Sequence, residues 1–288
     1  MKILQRQLPM NHNLFLFGDA HLGSRLHHAE GFDTLIDMIQ SPYEHVPARN
    51  NFAVDHGDGI EGIMITDPRY HPDSQPVDRP VPYPLQQAND YIAKLMPIRQ
   101  QMLCMMDGNH FQKLWAQGNY AKLICKELGI PYGTWTARLT YNNMKGKLMY
   151  RHYATHGRKG ISSTADDISR RVANMQLILK RQLMDMAGDC VLQSKGHVHK
   201  LLITPPQSRL YITDDGNVTK QRYTKAGHTE EWIHPDHRWY VCTGSFLRTF
   251  GQDISGYAEM FEYAPVELGF AIVLVRDGQI QDIHKYVL

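Results

Sequence analysis

The stretch LFLFGDAH, residues 14–21, sets the pattern for the chain. Four apolar residues read as a short buried strand, which stops at Gly18-Asp19 with His21 just beyond. The same figure returns twice. NFAVDH (51–56) runs into Gly57-Asp58, and MLCMM (102–106) runs into Asp107-Gly108-Asn109-His110. Helical patterns lie between and after these strands. Residues 25–39 place Leu26, Phe32, Leu35, Ile36 and Ile39 at helical spacing. Residues 85–99 read as a second helix that Pro97 ends or kinks. Residues 112–128 read as a third, closed by Gly129.

The second half changes character. Residues 133–141 and 147–155 read as paired strands about the turn NNMKG (142–146). A long amphipathic helix is expected over 166–186. Further strands are expected at 201–204, 209–213, 239–243, 270–276 and 279–286, with Asp277-Gly278 as a hairpin turn. Alternating β and α giving way to mostly β implies an α/β fold, with two sheets face to face and helices outside them. The expected architecture is a four-layer α-β-β-α sandwich of two facing mixed sheets, formed by a single domain over 1–288. Two segments carry no periodic signal. Residues 67–84 hold six prolines and read as a long ordered loop, and 205–236 read as a surface elaboration.

Composition bounds the partners. The chain has 288 residues, 42% hydrophobic and 21% charged, which suits one large soluble domain with a substantial core. A net charge of +2 excludes a strongly cationic domain, although a local basic rim would not register in it. The four cysteines form no C-x-x-C pair, and three lie in apolar runs, as small buried residues of a reduced intracellular protein do. The sequence shows no signal peptide and no apolar run near the ~20 residues of a membrane span. A cytoplasmic protein with no membrane partner is expected.

The strand ends carry the chemistry. Asp19 and His21 follow the first strand, Asp58 the second, and Asn109 and His110 the third. His156 follows the strand at 147–155, and His197 and His199 stand in KGHVHK (195–200). Carboxylate, amide oxygen and imidazole suit Zn, Mn or Fe, and rigid strands aim such loops well. Taken singly, each has a plain structural reading. Gly57-Asp58-Gly59 is a turn, Asp19 and Asn109 are helix caps, and His156 is a polar residue at a strand end. Those readings do not account for the joint order.

That order, D-x-H, G-D, G-N-H, H-G and G-H-x-H, resembles the calcineurin-like metallophosphoesterases over residues 15–199. Thr243-Gly244-Ser245 is similar to the Gly-Ser turn that often follows. The D-x-H-L-G form of the first motif looks like the DNA repair exonuclease branch. It also looks like a branch acting on lipid-linked nucleotide diphosphates. Phe111 stands where many members carry Asp or Glu.

The resemblance implies two divalent metal ions, with Mn expected and Fe, Zn or Ni also suited to the set. Asp19, His21 and His199 would hold one ion; Asn109, His156 and His197 would hold the other; Asp58 would bridge them. A metal-bridging hydroxide would attack phosphorus. His110 would point at the phosphate and donate a hydrogen bond or proton. Glu61, where the family often has Asp, would orient His110. Arg25, Arg158 and Lys159 are candidates to contact the phosphate, with solvated side chains as the equal alternative.

The remaining singular residues read as structural. His12, His27, His28, His45, His71 and His284 are expected at the surface, and His152 beneath the site. His228, His234 and His237 read as a polar loop packed by Trp232 and Trp239. Tyr257, Phe261 and Tyr263 read as core or interface aromatics before a base-stacking surface. The activity expected is a phosphodiesterase or small nuclease acting on a phosphoester, with nucleic acid or a nucleotide as possible substrate. A phosphomonoesterase or protein phosphatase is the alternative. The other reading is a non-catalytic scaffold, which the filled ligand positions oppose. Oligomeric state is open.

Overall fold

The computed structural model describes residues 1–78, 82–225 and 227–288, so parts of the expected loop at 67–84 and of the segment at 205–236 lie outside the described residues. In chain order the first half holds β1 (Lys2–Gln7), β2 (His12–Phe17), α1 (Ala29–Ile39), β3 (Asn51–Asp55), α2 (Pro84–Leu95), β4 (Met102–Met105), α3 (Asn109–Lys113) and α4 (Tyr120–Leu128). The second half holds β5 (Thr136–Asn142), β6 (Leu148–Thr155), α5 (Ile168–Leu183), β7 (Leu192–Lys195), β8 (Leu201–Thr204), β9 (Leu210–Asp214) and β10 (Thr219–Tyr223). It closes with β11 (Trp239–Thr243), α6 (Tyr257–Met260), β12 (Gly269–Arg276) and β13 (Gln279–Val287).

The result is a mixed α/β fold with two large mixed sheets. One has the order β13-β12-β2-β3-β4, in which β2, β3 and β4 run parallel. The other has the order β1-β5-β6-β7-β11-β8, in which β6, β7 and β11 run parallel. Parallel strands send their C-terminal ends to one edge of a sheet, and that edge carries the polar loops.

Side-chain alternation in β2 shows how the sheets and helices are held. Phe15 and Phe17 join a buried cluster with Phe32 and Leu35 of α1, Tyr91 of α2 and Ile124 of α4. Leu14 and Leu16 point the other way, into a cluster with Leu139, Tyr150, Leu192 and Val241 of the second sheet. Leu179 and Leu183 of α5 pack on Tyr153, Tyr240 and Cys242 of that same sheet. Each such side chain contributes about 1.5–3 kcal/mol by leaving water.

Several expectations are corrected. The helix read over 112–128 is two helices. Gly118 sits at φ +138°, and the Asn119 side chain accepts a hydrogen bond from the Lys122 N–H at 2.8 Å, which starts α4 afresh. Gly129 at φ +70° closes that helix as expected. The first helix begins at Ala29 rather than residue 25, because the His28 side chain accepts the Gly31 N–H. β1 has no counterpart in the sequence reading: of KILQRQ, only Leu4 is buried, and the strand pairs along one edge with β5. His12 is wholly buried rather than at the surface, with Nε2 2.8 Å from the Tyr150 hydroxyl and Nδ1 2.7 Å from the Pro9 carbonyl. Within 205–236, β9 and β10 form an exposed two-stranded ribbon separate from the two large sheets. Among the described residues, no helix is long and apolar enough to cross a membrane.

Candidate metal centre

The loops that follow β2, β3, β4, β6 and β7 converge. The first sheet brings Asp19, His21, Asp58, Asn109 and His110; the second brings His156, His197 and His199. The backbone bends sharply to aim them. Asp19 (φ 51°), His21 (φ 53°), Asp58 (φ 52°), His197 (φ 73°) and His199 (φ 52°) all adopt left-handed backbone. Asp and His tolerate that region better than most residues, at a cost of order 1 kcal/mol or more each. Hydrogen bonds between the loops over-determine it. The Asp19 N–H donates to the Gly57 carbonyl at 2.8 Å, the His21 N–H to the Asp58 carbonyl at 3.1 Å, and the Ser245 hydroxyl to the Asp19 carbonyl at 2.9 Å.

Gly108 and Gly57 are required by close approach. A Cβ on Gly108 would stand 2.0 Å from Asp58 Oδ1, and one on Gly57 2.4 Å from the Asp107 carbonyl oxygen. Asp58 is fixed by the His110 N–H, which donates to its Oδ1 at 2.9 Å, and Asp19 by the His197 N–H, which donates to Oδ2 at 2.8 Å.

Two donor groups result. Asp19, His21 and His199 form one, with His21 Nε2 and His199 Nε2 3.1 Å apart and His199 Nε2 3.4 Å from Asp19 Oδ1. Asp58, His156 and His197 form the other, with His156 Nε2 3.1 Å from Asp58 Oδ2. Asn109 Oδ1 completes the second group, 3.0 Å from His156 Nε2 and 2.6 Å from His197 Nδ1. A third grouping, of His21, Asp58 and His110, links the two. All seven residues named as ligands from the sequence are therefore brought together.

The donor set fits divalent cations. His21 Nδ1 donates to Glu61 Oε2 at 2.7 Å, and His156 Nδ1 donates to the His56 carbonyl at 2.7 Å. Each ring is thus held through Nδ1 with Nε2 aimed into the cluster, where a cation would take the place of any Nε2 proton. Asp19 Oδ1 is buried and makes no hydrogen bond among the described residues, with His199 Nε2 its neighbour at 3.4 Å, so its lone pairs are left for a cation. Burial pushes Asp58 upward, but His156 beside it overcomes this and holds the carboxyl well below the usual range. Burial also opposes charge on His156, yet Asp58 beside it raises that imidazole to about 9.

Glu61 and His110 depart from the expected pairing. The Glu61 carboxylate serves His21, while His110 Nδ1 donates to the Glu61 backbone carbonyl instead. The longer side chain of Glu carries the carboxylate past His110 to its neighbour. With Nδ1 protonated, His110 Nε2 accepts from Arg69 Nη1 at 2.9 Å. Burial lowers His110 to about 4, so the ring stands neutral. Arg69 is itself clamped: Nε and Nη2 each donate to Asp67 at 3.1 Å. Sequence reading passed over Arg69 because it lies in the proline-rich loop, where no period or motif marks a position.

The cations proposed to meet the phosphate are not among the residues that line the cavity. Arg25 Nη1 donates to the Asp73 carbonyl at 3.1 Å. Arg158 donates to Gln112 Oε1 and lies 5.5 Å from the centre of the Trp135 ring. The Lys159 carbonyl accepts from Lys195 Nζ at 2.7 Å. None of the three lines the cavity that opens over the donor cluster; its cationic walls are Arg69, Lys200 and Arg248.

Other histidines support from below or lie apart. His56 Nε2 and His152 Nε2 both meet the Ser194 hydroxyl at 2.6 Å, which ties β3, β6 and β7 together beneath the centre. His234 and His237 pack ring to ring and His234 against Trp232, with no metal-binding group formed there among the described residues. Comparison with protein-family models and with curated proteins yields no match.

Proposed function

We propose that this chain is a dinuclear-metal-dependent phosphoester hydrolase of the calcineurin-like kind, built as a four-layer α-β-β-α sandwich and acting on phosphodiesters. One observation carries the reading. Two donor groups, Asp19-His21-His199 and Asp58-His156-His197, are assembled from loops of two sheets, and five of their six residues stand on left-handed backbone. A structural polar cluster has no use for that strain, whereas a cation pair does.

Asp19, His21 and His199 would hold one ion, and Asn109, His156 and His197 the other. Asp58 would contribute an oxygen to each. When bound, such ions supply Lewis acidity and a nucleophile drawn from water at neutral pH. The chain supplies the rest. Asp67 fixes two nitrogens of Arg69, which leaves Nη1 to engage a phosphoryl oxygen at the cavity floor. His110 holds that guanidinium in place through Nε2, and the Glu61 carbonyl holds His110. Glu61 and the His56 carbonyl keep His21 and His156 in the ligand tautomer. Mn is the first metal to test, since the N/O set suits it.

The test pairs metal analysis with turnover. The protein reconstituted with Mn²⁺ should bind two equivalents and hydrolyse bis(p-nitrophenyl) phosphate faster than p-nitrophenyl phosphate. Preference for the monoester would favour a phosphomonoesterase. Two bound metals with neither ester cleaved would favour a binding scaffold.

A further inference from the structure

Beyond the donor cluster, the cavity changes character. It holds about 560 Å³, and besides the donors it is lined by Ile161, Val198 and residues drawn from 247–249, 257–258 and 262–266. From the latter, Leu247, Tyr257, Tyr263 and Val266 face the space. That volume belongs to sites that enclose a small molecule.

The two regions meet at Arg69. Its Nη1 is 2.9 Å from His110 on the polar floor, while its Cζ stands 5.7 Å from the centre of the Tyr257 ring. Tyr263 stands edge-to-face against Tyr257, with centroids 6.3 Å apart and planes at 85°. A ligand that presents an anionic oxygen to Arg69 therefore carries its next group to an aromatic corner. Two rings at right angles offer one face and one edge to a third flat ring. Glu262 and Thr249 at the same wall add acceptor and hydroxyl groups for its edge.

We propose that residues 247–266 form a subsite for an aromatic ester arm of nucleoside size, so that the substrate is a nucleoside phosphodiester. The proposal rests on the phosphoester-hydrolase reading above. The reaction is addition of water across one P–O bond. The water oxygen joins phosphorus, the departing alcohol takes a proton from that water, and the product is a phosphomonoester. The nucleoside arm comes from a small diester of one nucleotide or from the end of a single strand, since both present the same base, sugar and phosphate.

The experiment holds the leaving group constant and varies the arm. Methyl, octyl and thymidine 5′-esters of p-nitrophenyl phosphate are compared with the Mn²⁺-loaded full-length protein. The thymidine ester should exceed the methyl ester in kcat/KM by about 10-fold or more, the scale of one base–aromatic stack. Tyr263, which is half-exposed, can be changed without opening the core. Tyr263→Ala should shrink the thymidine-to-methyl ratio, and Tyr263→Phe should preserve it. Equal rates for the methyl and thymidine esters would overturn the subsite while leaving the hydrolase standing. An octyl preference would overturn it in favour of an aliphatic arm. No cleavage of any ester with two metals bound would instead refute the hydrolase reading. Inhibition of methyl-ester cleavage by thymidine monophosphate or by oligothymidylate, beyond that by inorganic phosphate, supports the subsite and tells the two sources apart; inhibition by neither counts against it.

Discussion

Replacing Gly108 by alanine tests the centre with a single methyl group. Gly108 has extended backbone (φ −151°, ψ 176°), which alanine adopts freely, so the change carries no conformational strain of its own. The added Cβ would lie 2.0 Å from Asp58 Oδ1 and 2.6 Å from its Cγ. Ordinary contact begins at 3.4 Å, so the carboxylate or the loop must retreat by about 1.4 Å. Asp58 has few ways to go. Its Oδ1 receives the His110 N–H at 2.9 Å, and its Oδ2 lies 3.1 Å from His156 Nε2. A shift of that size moves the Asp58 carboxylate away from its neighbouring donors, and misplacement by about 1 Å costs on the order of 10²-fold in rate. The expected result is loss of at least one metal equivalent by plasma mass spectrometry and a fall of about 10²-fold or more in diester hydrolysis. Gly146→Ala is the control: Gly146 sits at φ +80° with nothing within 4 Å of a Cβ, so stability should fall by about 1 kcal/mol with turnover intact. A Gly108→Ala protein with two metals and normal turnover would refute the placement of Asp58 between them.

Other changes separate the roles. Asp58→Asn should remove the shared charge, release at least one ion and abolish turnover, read by metal content and kinetics together. Glu61→Ala should weaken metal binding about 10–100-fold through loss of the His21 orienting bond, while the backbone carbonyl still holds His110. His110→Ala should retain both ions and slow hydrolysis by about 10²-fold through misplacement of Arg69, and unchanged turnover would remove His110 from the mechanism. Away from the centre, burial lowers His12 from its ordinary 6.5 to about 4. The unfolded chain therefore binds a proton that the folded chain refuses, and the stability His12 gives as a neutral ring is present above 6.5 and lost as pH falls toward 4. Between pH 7 and 5 this amounts to about 2 kcal/mol, so urea unfolding of His12→Gln should depend less on pH than wild type by that amount. Parallel pH profiles for the two proteins would count against it.

What the sequence revealed and what it hid have physical causes. Apolar runs that stop at Gly, Asp or Asn mark buried parallel strands and their exit loops at once, which is why the strands before Asp19, Asp58 and Asn109 were legible. β2 extends two residues further back than its apolar run, since His12 and Asn13 are buried by partners a pattern cannot see: the Tyr150 hydroxyl and Asn51 Oδ1. β1 was hidden because a strand at a sheet edge with one buried side chain shows no alternation. The break at Gly118-Asn119 was written in the sequence as a helix stop and a cap, and the apolar residues either side of it masked the signal. Glu61 was recognised as an orienting residue, but whether a carboxylate reaches one ring or the next depends on a single methylene. Arg69 and the aromatic corner depend on how two loops meet, and no local spacing encodes that.

The beneath-site contacts of Ser194 have a consequence for the molecule as a whole. Its hydroxyl has one proton to give, yet it faces imidazole nitrogens from both sheets, so at least one of those rings must itself be the donor. The chain of protons thus runs through the plane where the halves join. Any pair of cations above it would act as a crosslink over the same join. Grip on the ions and cohesion of the two halves are then one property, and chelation should loosen hydrogen exchange in β7 as well as in the loops.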